Sequence, residues 1–140
     1  MQTVTDDFGG HDAPPAPRPA LTPTRRHVLF GLGAAAGATA MIDISDGLLA
    51  EARHVSEASG VAVDVRRDAF EVPEPLQAVG AALGVDPLEF ILGGGDDHAL
   101  LATFPERVPD GWLEIGTVSE GSGVTVDGRE YDGPTGWTHF

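Results

Sequence analysis

The stretch Ala40-Met41-Ile42-Asp43-Ile44-Ser45-Asp46-Gly47-Leu48-Leu49 sets two carboxylates and a hydroxyl between an apolar run and an amphipathic pattern. The apolar residues before Asp43 predict a short strand. The spacing of Leu48, Leu49, Ala52 and Val55 predicts a helix beginning near Asp46. A strand-to-helix turn gathers backbone N–H groups and the positive end of the helix dipole, which suits phosphate oxygens. Asp43 and Asp46 offer hard oxygen donors of the kind that hold Mg²⁺ while leaving it several waters. The same residues also have a plain reading, with Ser45 or Asp46 as the helix N-cap and Asp43 as a solvated strand end. On the local pattern alone, both readings stand.

A second cluster follows at Gly93-Gly94-Gly95-Asp96-Asp97-His98, leading into the apolar run Ala99 to Phe104. Consecutive glycines permit close backbone approach, and two acids come directly after them. Alone, this segment reads equally well as a turn with a solvated acidic tip. Taken in order with Gly37 to Leu49 and with the end Gly136-Trp137-Thr138-His139-Phe140, it resembles the C-terminal domain of thiamine-monophosphate kinases, within the PurM-like (aminoimidazole-ribonucleotide synthetase-like) superfamily. The resemblance runs from about Ala34 to Phe140.

The resemblance implies transfer of the γ-phosphoryl group of ATP to thiamine monophosphate, giving thiamine diphosphate and ADP with Mg²⁺. By the same resemblance Asp43 and Asp46 are metal carboxylates, Ser45 contacts the nucleotide, and Asp96 and Trp137 contact the thiamine substrate. Asp96 stands where the family has Glu, so its carboxyl is one methylene shorter. A Trp face suits a cationic thiazolium through a cation–π interaction, although Trp137 reads equally as a packed tail aromatic. Asp97 is a second-rank candidate that steadies the glycine turn. His98 reads as a strand histidine or a substrate contact, and His54 as a surface residue on the first helix.

These residues need a scaffold, and the rest of the chain predicts one. A helix from about Asp46 to Ala58 ends at Ser59-Gly60, and Val61 to Val65 alternates as a strand. A second helix covers Leu76 to Leu83. Asp86 caps a short third helix with Pro87 at its first position. Strands are expected at His98 to Phe104 and Trp112 to Gly116, with a hairpin over Val124 to Tyr131 turning at Asp127-Gly128. The pattern predicts an α+β fold of two layers, helices on one face of a sheet, with the domain spanning residues 34–140.

Residues 1–33 are expected to form a disordered or atypical lead, rich in proline at Pro14, Pro15, Pro17, Pro19 and Pro23. Family enzymes carry an N-terminal half with most of the nucleotide-binding and metal-binding acids. The expectation is therefore an incomplete C-terminal half, inactive in isolation, with a complementing N-terminal half as partner. Two alternatives are a non-catalytic remnant or binding module, and an exported protein in which Arg25-Arg26 and the following apolar run serve as a twin-arginine signal. The weak hydrophobicity of that run favours a cytoplasmic protein.

Composition narrows the classes further. The chain has 140 residues and a formal net charge of −14, which disfavours nucleic acid as a partner. All eight basic residues are arginine, so a P-loop lysine is excluded. There is no cysteine, hence no disulfide or thiolate metal site. No apolar run is long enough to span a bilayer.

Overall fold

The computed structural model describes residues 26–31, 37–95, 99–105 and 108–136. The strands are β1 (Arg26–Gly31), β2 (Ala40–Asp43), β3 (Val61–Val65), β4 (Leu100–Phe104), β5 (Trp112–Glu120) and β6 (Gly123–Val126). The helices among the described residues are α1 (Leu48–Ser59), α2 (Glu74–Leu83) and α3 (Leu88–Leu92), with a 3₁₀ turn at Arg67–Ala69. All six strands form one sheet in the order β2-β4-β1-β5-β3-β6. Every pairing is antiparallel except β3 with β6.

Registers put the end of β2 beside the start of β4, with Asp43 opposite Leu100. Gly31 lies opposite both Leu100 and Trp112, and Val65 opposite Val126. The end of β2 and the starts of β4 and β5 therefore share one rim of the sheet, which the ends of β3 and β6 also face.

α1 lays Leu48, Leu49, Ala52 and Val55 on one face of this sheet, against a core that includes Val63, Val65, Leu101, Ile115 and Val126. Leu88 and Leu92 of α3 join the same core. Burying each such leucine contributes about 1.5–3 kcal/mol. The opposite face carries a smaller cluster of Ala102, Phe104 and Trp112, whose two aromatic rings meet edge to face at 5.5 Å. With apolar clusters on both its faces, β4 is buried from Leu101 to Phe104, which explains why its residues are apolar apart from Thr103. The predicted α+β layering is the observed one.

Two local expectations are corrected, and one strand is new. β1 brings Arg26–Gly31 into the sheet. Val28-Leu29-Phe30 is strand sequence set between β4 and β5. The hairpin reduces to a turn at Asp127-Gly128 with one bridge, Val126 to Arg129. Asp64 explains that difference, because its carboxylate accepts bonds from the Thr125 hydroxyl at 2.6 Å and the Gly128 amide at 2.7 Å, drawing β6 alongside β3. Finally, α1 begins at Leu48 with Gly47 as its N-cap residue and no side-chain cap there, and the Ser45 hydroxyl is given to Glu51 instead.

The short third helix forms where expected but starts one residue later, at Leu88, with Pro87 as its N-cap residue. The Asp86 carboxylate accepts the Leu88 amide at 3.0 Å and also pairs with the Arg67 guanidinium. The Leu88 amide first, and then Arg67, hold the Asp86 carboxyl below the usual carboxylate range.

Candidate functional site

The turn from β2 into α1 is anchored on both sides by buried apolar residues. Ile44, 4% exposed, precedes it, and Leu48 and Leu49, at 1% and 2%, follow it. The Ile44 amide donates to the Ala99 carbonyl at 2.9 Å, extending the β2–β4 pairing past the strand end. At the other end of β2, Thr39 bonds through its amide and hydroxyl to Thr103. With its neighbours locked, the turn presents Asp43 and Ser45 to solvent and leaves Asp46 half-buried.

Between Ser45 and the helix, the chain passes through Gly47 at φ 132°. A Cβ there would lie 2.9 Å from the Gly93 carbonyl oxygen and 3.1 Å from the Gly136 Cα. A Cβ on Gly95 would collide with the Ser45 carbonyl, and one on Gly93 would lie 2.5 Å from the Pro134 carbonyl oxygen. Three segments distant in sequence thus pack backbone to backbone: the 45–47 turn, the 93–95 glycines and the 134–136 tail. They are the three motifs singled out in the sequence. The glycines serve this close approach, which any side chain would hold apart.

Asp96, Asp97, His98 and Trp137 lie outside the described residues, so only their chain neighbours are located. Gly95 and Ala99, on either side of the acidic segment, both abut the Ile44–Asp46 turn, and Gly136 packs on Asp46. Asp43, Ser45 and Asp46 are brought together by the turn itself. His54 is exposed on α1, as expected.

Glu51 is a residue of this site that the sequence reading missed. Its side chain is 3% exposed, and its carboxylate accepts the Ser45 hydroxyl at 3.1 Å and the Asp46 amide at 3.2 Å. A signal was present, since Glu51 falls on the apolar face of α1, three residues after Leu48 and four before Val55. An acid on a buried face requires hydrogen-bond partners, and the preceding turn is the nearest source.

The donor set suits a hard divalent cation. Asp43 and Asp46 are carboxylates three positions apart, the first of them exposed, and the turn leads into a helix start. Mg²⁺ is typically held by one or two carboxylates with waters and phosphate oxygens completing its shell. Among the described residues no group of three or more His, Cys, Asp or Glu converges as a full metal cage.

A separate cleft of about 440 Å³, lined by Arg67, Val126, Asp127, Arg129, Glu130 and Tyr131, lies at the β6 edge. Burial, and then the nearby Glu89 charge, push the Tyr131 phenol up from its ordinary value. The sheet order places this cleft at the edge opposite β2, so it is not part of the Asp43–Asp46 turn.

Comparison with known proteins agrees with this geometry. Residues 3–128 match the family model described as AIR synthase related protein, C-terminal domain. The chain is 50% identical over 125 residues to thiamine-monophosphate kinase of Mycobacterium tuberculosis, covering 83% of this chain and 38% of that protein. It is 41% identical over 106 residues to the Aquifex aeolicus thiamine-monophosphate kinase, covering 74% and 34%. The solved structure of AaThiL complexed with AMPPCP and TMP superposes with a TM-score of 0.65 at 42% identity, covering 74% of this chain and 34% of that one. Escherichia coli HypE, a hydrogenase maturation protein, shares the fold at 20% identity with a TM-score of 0.57, covering 81% and 51%. The chain spans about a third of the length of the curated relatives it matches.

Proposed function

Because the chain belongs to the AIR synthase related protein family, in the part that the family model describes as the C-terminal domain, we propose that it supplies one wall of a thiamine-monophosphate kinase site. The reaction is transfer of the γ-phosphoryl of ATP to a phosphate oxygen of thiamine monophosphate, releasing ADP and forming thiamine diphosphate. The observation that supports this reading most is the backbone packing of the 45–47, 93–95 and 134–136 segments, which joins at one point the three motifs of the resemblance. The chain's length relative to its relatives makes the activity that of a whole enzyme. The rest of such an enzyme is the proposed partner, whether in the same polypeptide or another.

In this reading Asp43 and Asp46 hold Mg²⁺, which when bound neutralises phosphate charge, the main requirement of phosphoryl transfer. Ser45 contacts the nucleotide beside them. Asp96 and Trp137 receive the thiamine moiety, the carboxylate and the aromatic face both favouring a cation. The acidic surface, at a net charge of −14, makes metal ions the natural mediators of nucleotide binding. The ATP requirement points to a cytoplasmic setting. Among the described residues no helix is long and apolar enough to cross a membrane.

Calorimetric titration of the chain with thiamine monophosphate, with and without Mg²⁺ and AMPPCP, tests the proposal. Saturable binding that disappears in Asp96→Ala or Trp137→Ala is the expected result. Absence of binding under every condition overturns it.

A further inference from the structure

Glu51 is buried among apolar side chains, yet it spends its carboxylate on the two residues immediately before Gly47. It accepts the Ser45 hydroxyl and the Asp46 amide on the same oxygen, at 3.1 and 3.2 Å. The helix it belongs to has no side-chain cap at Gly47, and this return contact ties the Asp43–Asp46 turn to α1. Glu51 is itself held in place, since its own amide donates to the Gly47 carbonyl at 3.0 Å and its neighbours Ala52 and Val55 are core residues.

The chemistry of Ser45 follows from that bond. A serine hydroxyl has one hydrogen and two acceptor lone pairs. Once the hydrogen is given to Glu51, Ser45 can only accept or ligate. It has nothing left to donate to a phosphate oxygen.

We infer that Glu51 is the positioning residue of this turn, and that through it Ser45 meets its ligand as an acceptor, toward a ribose hydroxyl, an amine or a cation-bound water. The second half of this inference rests on the reading of Asp43–Asp46 as a metal and nucleotide corner. The first half, that Glu51 holds the turn, stands on the structure of the chain alone.

Two measurements on the full chain test the two halves separately. Amide hydrogen exchange without ligand reads the Asp46 N–H directly. Glu51→Ala is expected to speed its exchange about tenfold, whereas Glu51→Gln, which keeps an acceptor oxygen, leaves it near the parent rate. Glu51→Met, similar in length but without acceptors, replaces the alanine variant if that one does not fold. Unchanged exchange at Asp46 in the alanine or methionine variant overturns the positioning role. So does equal acceleration in Glu51→Gln.

The second measurement is a double-mutant cycle on Mg²⁺-dependent AMPPCP binding. Ser45→Ala is expected to weaken binding about tenfold in the parent and to have no further effect in Glu51→Met, because an unheld Ser45 no longer presents its lone pairs. Additive losses overturn the acceptor role. If the parent chain binds no AMPPCP, the corner reading and the acceptor role fall together, while the exchange result still decides what Glu51 does.

Discussion

Gly136 sits directly on the Asp46 backbone: a Cβ at position 136 would lie 2.5 Å from the Asp46 carbonyl oxygen and 2.8 Å from the Ala50 Cβ. Its φ of +141° adds a conformation that only glycine adopts readily. Gly136→Ala is therefore expected to cost about 1–3 kcal/mol and to push the tail off the turn. Urea unfolding measures the stability loss, and titration with thiamine monophosphate measures the effect on Trp137, the proposed substrate contact that follows.

Asp43 behaves differently, since it is exposed and sits at the end of an edge strand. Asp43→Asn should leave folding stability within about 0.5 kcal/mol of the parent. It should nonetheless weaken AMPPCP binding at limiting Mg²⁺, with partial recovery as Mg²⁺ is raised. Thermal melts and titrations at several Mg²⁺ concentrations separate these two effects. An unchanged Mg²⁺ dependence counts against Asp43 as a metal carboxylate.

Ser56 provides a purely structural contrast. Its buried hydroxyl donates to the Val61 carbonyl at 2.6 Å and accepts the Gly123 amide at 2.9 Å, joining the end of α1 to β3 and β6. Ser56→Ala leaves both backbone groups without this partner and is expected to cost about 1–3 kcal/mol. The midpoint of urea unfolding should fall with its slope unchanged, and ligand titrations should match the parent.

Asp86 predicts an acid dependence. Its folded pKa is lowered by the Leu88 amide and by Arg67, so the unfolded state binds its proton more tightly than the folded state does. Its stabilising contribution is complete above the unfolded value of about 3.9 and is lost as pH falls through the lower folded value. Parent and Asp86→Asn should therefore differ in stability at neutral pH and converge in acid. Urea midpoints followed from pH 7 down to the acid transition check this. A constant difference across that range contradicts it.

Much of the scaffold was legible because it rests on local chemistry. Gly60 and Gly84 end their helices in the left-handed conformation, as glycine after an amphipathic run suggests. Asp86 before Pro87 marked the start of α3, and Val61 to Val65 alternated as a strand. The errors came where a distant partner decided the outcome. Ser45 looked like a cap, but Glu51 claims its hydroxyl. Asp127-Gly128 looked like a hairpin turn, but Asp64 holds both Thr125 and Gly128, so β6 pairs with β3 instead. Arg26 to Gly31 was hidden by its context, between a proline-rich lead and a glycine-alanine run, and its pairing partners lie far along the chain. Of the site, Asp43, Ser45 and Asp46 were readable as a motif, whereas Glu51 required recognising an acid on an apolar helix face.

The position of β1 also bears on how the protein is made. The first of the described strands occupies an inner place in the sheet, with His27 paired to Phe104 and Arg26 to Val118. A ribosome delivers β1 before either neighbour, so its hydrogen-bonding edges wait unpaired until β4 and β5 follow. Sheet closure is then a late, long-range event of the kind that slows folding and exposes strand edges to wrong partners. Chaperone dependence during expression, and slow refolding after dilution from denaturant, are the consequences to expect of placing a strand inside the sheet so far ahead of both its partners.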